Sequence, residues 1–138
     1  MTAIAARKDV RRQPGEVLSY KMAAVKVLEG ALVNINAAGY ATNATDTTNE
    51  IFVGVADQTV DNSAGAAGDL ELQVRIGGVV NVVSNFSAAQ TNVSDQVYVI
   101  DDQTVDLAAV TTNDILVGRI VEVTSSSKLR VALVGAGR

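Results

Sequence analysis

Leu70-Glu71-Leu72-Gln73-Val74-Arg75-Ile76 alternates apolar and polar residues without a fault, and Gly77-Gly78 follows before a second apolar run at 79–83. Strict period-two alternation places every apolar side chain on one face of an extended segment, the pattern of a half-buried β-strand. A Gly-Gly step between two such runs predicts a tight hairpin, because both residues tolerate the positive φ of the primed turns. Related patterns recur in both directions along the chain. Upstream, Leu18, Tyr20 and Met22 alternate with Ser19 and Lys21, and residues 31–36 form a short strand turned by Ala37-Ala38-Gly39. Ile51-Phe52-Val53-Gly54-Val55 is continuously apolar, which predicts a strand buried on both faces with Gly54 at a close backbone approach. Downstream, 97–100 and 104–107 flank Asp101-Asp102-Gln103 as a second hairpin. Residues 116–123 and 128–133 flank Ser125-Ser126-Ser127 as a third.

Only 87–95 has room for a helix, of a turn or two. Frequent short strands without long helical patterns predict an all-β fold, a compact antiparallel β-sandwich or barrel. No period of roughly 20–50 residues repeats, which argues against a solenoid. Residues 1–14 follow neither period and end at the only proline, Pro14, followed by Gly15. They are expected to be an extended N-terminal arm on a single β domain, 15–138. A domain of 138 residues buries roughly 70% of its unfolded surface, so an ordinary core suffices. Aromatic residues make up 4% of the chain, so Val, Ile, Leu and Ala must fill that core.

Composition excludes several chemistries. The chain has no cysteine and no histidine. Disulfides, thiolate metal sites and the commonest proton-transfer side chain are therefore missing. Asp101-Asp102 is the nearest approach to paired carboxylates. It reads as a turn, with a loop cation site such as Ca²⁺ or a catalytic role as the alternatives. Gly65-Ala66-Ala67-Gly68-Asp69 has no Lys-Ser/Thr pair after it and precedes a strand, so it also reads as a turn rather than a phosphate cradle. Asn43, Asn85 and Asn92 head glycosylation sequons that chance explains in a chain rich in Asn, Ser and Thr. No enzymatic activity and no cofactor or metal are expected.

Charge is uneven. Residues 1–30 carry six bases and three acids, a net +3, while the remainder carries five bases and twelve acids, a net −7. An acidic body argues against nucleic-acid binding by the folded domain. The basic front end suits an acidic partner surface and equally a solvated tail. No apolar run approaches the roughly 20 residues that span a bilayer. Met1 to Lys8 also places its charges after a short apolar stretch, the reverse of a secretory signal. A soluble protein made in a cytoplasm, with no membrane partner, is expected.

The middle of the chain resembles the small bacteriophage proteins described as capsid decoration, or cement, proteins. The resemblance runs in order through Glu29-Gly30-Ala31-Leu32-Val33, Asn36-Ala37-Ala38-Gly39-Tyr40-Ala41, Ala44-Thr45-Asp46-Thr47 and Phe52-Val53-Gly54-Val55-Ala56. It continues through 60–69, Val74-Arg75-Ile76-Gly77-Gly78-Val79, 97–105 and Val117-Gly118-Arg119-Ile120-Val121, spanning roughly residues 15–134. Members often place Gly-Lys-Pro where this chain reads Ser94-Asp95-Gln96. The resemblance implies attachment to the outer surface of an expanded capsid, with the major capsid protein as partner. It also implies self-association as a homotrimer and a bracing role against internal DNA pressure. On that reading the arm contacts the capsid or a neighbour through Ile4, Arg7, Lys8, Val10, Arg11 and Arg12. The alternative is another virion surface or tail β-module that binds a host glycan. Such sites usually need exposed aromatics, and this chain has only Tyr20, Tyr40, Tyr98, Phe52 and Phe86, with no tryptophan.

Overall fold

A computed structural model describes residues 17–134; the expected arm, 1–14, and the contact residues assigned to it lie outside the described residues. The described residues are nearly all β, with 48% strand and 3% helix. Its strands are β1 (Val17–Lys21), β2 (Lys26–Val27), β3 (Leu32–Ile35), β4 (Ala41–Asn43), β5 (Ile51–Ala56) and β6 (Val60–Asp61). After these come β7 (Glu71–Arg75), β8 (Val79–Ser84), β9 (Gln96–Val99), β10 (Thr104–Asp106), β11 (Leu116–Ser125) and β12 (Lys128–Leu133). The one helical element among the described residues is a 3₁₀ turn at Gln90–Asn92, inside the stretch expected to allow a turn or two.

The strands form a five-stranded sheet of order β1-β7-β5-β3-β4 and a closed five-stranded barrel, β10-β8-β12-β11-β9. A small β2–β6 ribbon flanks them. All named pairings are antiparallel except β10 with β8, which closes the barrel in parallel. The antiparallel all-β expectation holds, and two of the three expected hairpins form. β9 and β10 pair around 101–103. β11 and β12 pair with Ser125 opposite Lys128, so the turn is Ser126-Ser127.

The Gly77-Gly78 hairpin does not form. β7 pairs with β1 and β5, and β8 pairs with β12 and β10, so the Gly-Gly step carries the chain from the sheet into the barrel. Among the two glycines only Gly78 has positive φ (91°), whereas a type I′ turn needs it at both central residues and a type II′ turn at the first. Alternation in the first run and apolar content in the second correctly identified both strands, but a Gly-Gly step is compatible with reversal and with crossover alike.

β5 also differs from expectation. Phe52, Gly54 and Ala56 are buried, Val53 and Val55 are half-buried, and Ile51 is 54% exposed. Its apolar run is continuous because the strand serves two cores. One core lies in the sheet around Met22, Val33, Ala41, Leu72 and Val74. The other fills the barrel around Val97, Val105, Ile120, Leu129 and Val131 and takes in Leu32, Ala44 and Phe52 from the sheet. Asn34 is opposite Phe52 and Val33 is opposite Gly54, so Val53 is skipped. The extra residue changes the facing of the strand: Phe52 and Val55 pack on the barrel core, and Val53 and Ala56 on the sheet core.

The close approach expected at Gly54 is present. A Cβ there would lie 2.1 Å from the Arg75 carbonyl oxygen, and one on Gly118 in β11 would lie 2.0 Å from that of Ala132. Neither backbone oxygen can move without opening a strand pair. Gly54→Ala and Gly118→Ala should therefore each cost about 1–3 kcal/mol or more in denaturant unfolding, the range for overpacking. Gly77→Ala, with nothing within 4 Å of its added Cβ, should stay within about 0.5 kcal/mol of the parent. Equal losses at all three glycines would show that the close approaches are not the cause.

Candidate interaction surface

The exposed carboxylates are largely engaged in shaping loops. Asp101 Oδ1 accepts hydrogen bonds from the backbone N–H groups of Gln103 and Thr104, each at 2.9 Å. That is an Asx-type turn, which supports the turn reading of Asp101-Asp102. Asp61 Oδ1 accepts from the Ser63 amide and hydroxyl, and the Ser63 bonds hold its pKa below the ordinary carboxylate value. In the glycine-containing loop, Asp69 Oδ2 accepts from Ala66 N at 2.9 Å. The buried Asn62 amide donates to the carbonyls of Ala23 and Ala66 at 3.1 and 3.0 Å. The loop is tied to itself and to the end of β1, as a turn rather than an anion cradle. Among the described residues no group of three or more Asp, Glu, His or Cys is placed to hold a metal ion.

All three sequon asparagines have their amide nitrogens in use. Asn43 donates to the Lys26 carbonyl, Asn85 to Asp106 and Asn92 to Asp95. None of the five aromatic side chains is exposed: Phe52 is buried, and Tyr20, Tyr40, Tyr98 and Phe86 are half-buried. No aromatic platform for a sugar ring is therefore displayed on the described surface. Among the described residues no helix is long and apolar enough to cross a membrane.

The surface that stands out is the start of β1. This strand pairs only with β7 over Val17–Lys21, and beyond it Met22 makes a single parallel bridge to Ala41. The outer edge of residues 17–20 therefore has no strand partner among the described residues. Val17 and Leu18 are 39% and 38% exposed, and Val79 across the Gly-Gly crossover is 45% exposed. Val17, Arg75, Gly77, Gly78 and Val79 line an open hollow of about 310 Å³. An unpaired, apolar strand edge is a pairing template that folded proteins normally cover or blunt. Sequence reading recognised the strand but not its edge position, since edge status depends on which strands become neighbours. The body around it is acidic, with six bases against thirteen acids over residues 17–134.

Compared with protein-family models and with curated proteins, the chain matches none.

A carboxylate is prominent among the polar ties that join the sheet to the barrel. Asp46, in the loop before β5, accepts from the backbone N–H groups of Thr112 and Asn113 at 2.8 and 2.9 Å and from the Asn113 side chain at 3.1 Å. Partial burial works to raise its pKa. The hydrogen bonds from Thr112 and Asn113 outweigh that and hold it below the ordinary value. A carboxylate with a lowered folded pKa contributes stability above its unfolded pKa of about 3.9 and loses it as pH falls through the folded value. Asp46→Ala should therefore cost about 1–3 kcal/mol at pH 7. The gap to the parent should narrow as the acid limb is entered below about pH 4. Urea melts across that range test this, and a gap independent of pH would remove the ionised carboxylate as the cause.

Proposed function

We propose that the chain is a head decoration (cement) protein of a tailed bacteriophage. In this reading it binds the outer surface of the expanded capsid and braces it against internal DNA pressure. It is made in the host cytoplasm, acts as a non-enzymatic structural protein and needs no cofactor. Its partners are the major capsid protein and other copies of itself, as a homotrimer, with no nucleic acid and no membrane. The resemblance of the ordered loop and strand motifs to those of decoration proteins suggests the role. The observation that carries it is the apolar edge of β1, which has no strand partner among the described residues and which in sequence follows a basic segment and opens an acidic body. Such an edge suits backbone pairing with a strand of a neighbouring protein. The glycan-binding alternative has less support, because the aromatic side chains are all at least half-buried.

Charge alone would not hold the protein on a capsid. Exposed ion pairs are worth about 0.2–1 kcal/mol each, so Arg7, Lys8, Arg11 and Arg12 supply roughly 1–4 kcal/mol together. Micromolar binding needs about 8 kcal/mol. The rest must come from strand pairing, from apolar contacts of Ile4 and Val10 and from trivalent engagement. Co-sedimentation with empty expanded heads is the test, beside light scattering of the free protein for a trimer. Deleting residues 2–13 should leave the melting temperature of the free protein nearly unchanged and sharply weaken attachment. Replacing only the four basic residues with Gln should weaken it moderately and flatten its salt dependence. Failure of the full chain to sediment with heads would remove the proposal. Undiminished attachment of the truncated chain would reduce the N-terminal segment to a passive tail.

A further inference from the structure

The sheet and the barrel are built alike. In each, taking β1, β3, β4, β5, β7 and β8 to β12 in chain order, the first strand pairs with the fifth and the fifth with the fourth. The fourth then pairs with the second, and the second with the third. The third returns to the first in parallel, through Met22 and Ala41 in the sheet and through Ser84 and Val105 in the barrel. Registers agree residue by residue. Val17↔Arg75 to Lys21↔Glu71 answers to Val79↔Ala132 to Val83↔Lys128. Asn34↔Thr42 and Ile35↔Ala41 answer to Tyr98↔Asp106 and Val99↔Val105. The shift that skips Val53 recurs at Val117, and each is followed by the glycine that admits no Cβ.

Loop hydrogen bonds repeat too. Gly30 N to Ala56 O (2.9 Å) and Ala56 N to Ala31 O (2.8 Å) recur as Ser94 N to Ile120 O (2.8 Å) and Ile120 N to Asp95 O (2.9 Å). Gly30 has φ 91° and Ser94 has φ 83°, so the serine occupies in the barrel a left-handed position that glycine fills in the sheet. The sequence carries the same signal. Thr47-Thr48-Asn49-Glu50-Ile51-Phe52-Val53-Gly54 returns 64 positions later as Thr111-Thr112-Asn113-Asp114-Ile115-Leu116-Val117-Gly118, with six of eight residues identical. Shared strand order alone is a result that packing can reach twice. Shared register, shared shift and a shared octapeptide at the same place are not.

The copies differ in one face. Leu32, Ala44 and Phe52 of the first copy are buried against the barrel, Leu32 N donates to Asp102 O, and Asp46 holds the loop at Thr112 and Asn113. Their counterparts on the second copy are Gln96, Ala108, Leu116 and Val110. Gln96 and Ala108 are exposed, Leu116 is half-buried and Val110 is 60% exposed. Val55, which also packs on the barrel core, corresponds to the exposed Arg119. Conversely, the residues of the first copy that correspond to the receiving surface, Leu18, Ala38 and Asn49 in place of Val80, Asp102 and Asn113, are exposed.

We infer that the chain is a tandem duplication of one five-stranded unit, in which the first copy docks on the second through the Leu32–Phe52 face. The corresponding face of the second copy has been converted to solvent surface at Gln96, Val110 and Arg119, which stops the stacking at two. The partner that the receiving surface fits is another copy of the same unit; the open one on the first copy would accept the second copy of another molecule if that face were restored. This rests on the fold and is independent of the proposed role on a capsid.

Two full-length variants test it. Gln96→Leu/Val110→Asp/Arg119→Val rebuilds the docking face and should form head-to-tail oligomers that grow with concentration in light scattering. Adding Leu18→Lys should reverse the growth. The reciprocal variant, Leu32→Gln/Val55→Arg, should uncouple the copies, so that thermal unfolding splits into two transitions. A folded triple variant that keeps the parent's size at every concentration would overturn the converted-face inference. If the triple variant does not fold, the reciprocal one decides, and a single transition at the parent temperature would overturn it.

Discussion

Two peptide groups lie so close to neighbouring backbone that no side chain fits between them, and much of the architecture follows from this. At Gly54 and Gly118 the space a Cβ would occupy is already taken by the carbonyls of Arg75 and Ala132. Each glycine comes directly after the residue that its partner strand skips. The skipped residue turns the strand, and the missing Cβ lets the next strand close over the turn. In β5 the consequence is a single strand whose side chains feed both cores. Without the shift, Phe52 and Ala56 would share a face, and one core would lose a large apolar contributor.

Once the hydrophobic clusters are joined at Leu32, Ala44 and Phe52, polar contacts determine how the two parts are held. Asp46 is suited to this because its carboxylate meets two consecutive backbone N–H groups, which otherwise have no partner in that loop. Charge-assisted bonds to backbone are stronger than an exposed ion pair of the Arg130–Glu122 kind, at 3.6 Å with both side chains about half exposed. Asn34 is the counter-example inside the sheet. Its Nδ2 donates to Thr45 O and Glu50 Oε1, while its buried Oδ1 has no hydrogen-bond partner among the described residues. The loop before β5 is thus fastened at its start by the buried Ala44 and beyond it by donors and acceptors.

The longer strands were legible because period-two alternation and short apolar runs depend only on local chain geometry, whereas the two- and three-residue strands β2, β4 and β6 are too short to show either. Leu70 to Ile76, the β9–β10 turn at 101–103 and the close approach at Gly54 could all be read from neighbours in sequence, while the capping role of Asp101 came from the structure. Pairing could not. Gly77-Gly78 separates two correctly identified strands that belong to different sheets. The exposed edge of β1 is equally invisible, because whether Val17 and Leu18 meet another strand is decided by β7 and β4, more than twenty residues away in the chain. Ser94 in the left-handed region offers no local signal at all. The residues expected to contact a capsid, Ile4 to Arg12, fall outside the described residues, so their placement adds nothing to that reading.

The internal repeat escaped a search for periods of roughly 20–50 residues because its spacing is larger and not constant. Counterparts lie 62 positions apart at β1 and β8, 64 at β5 and β11, and 57 at β7 and β12. The drop from 64 to 57 arises because the first copy has a longer connection after its fourth strand, where β6 and the Asn62 loop sit. Such a spacer blurs any fixed-period comparison while leaving the hydrogen-bonded frame untouched. What survives divergence is therefore the part that backbone geometry enforces: Val33 with Gly54 and Val97 with Gly118, each pair flanked by a shifted residue. Side chains on the outer faces were free to drift, so a leucine that seals an interface in one copy stands opposite a glutamine that meets water in the other.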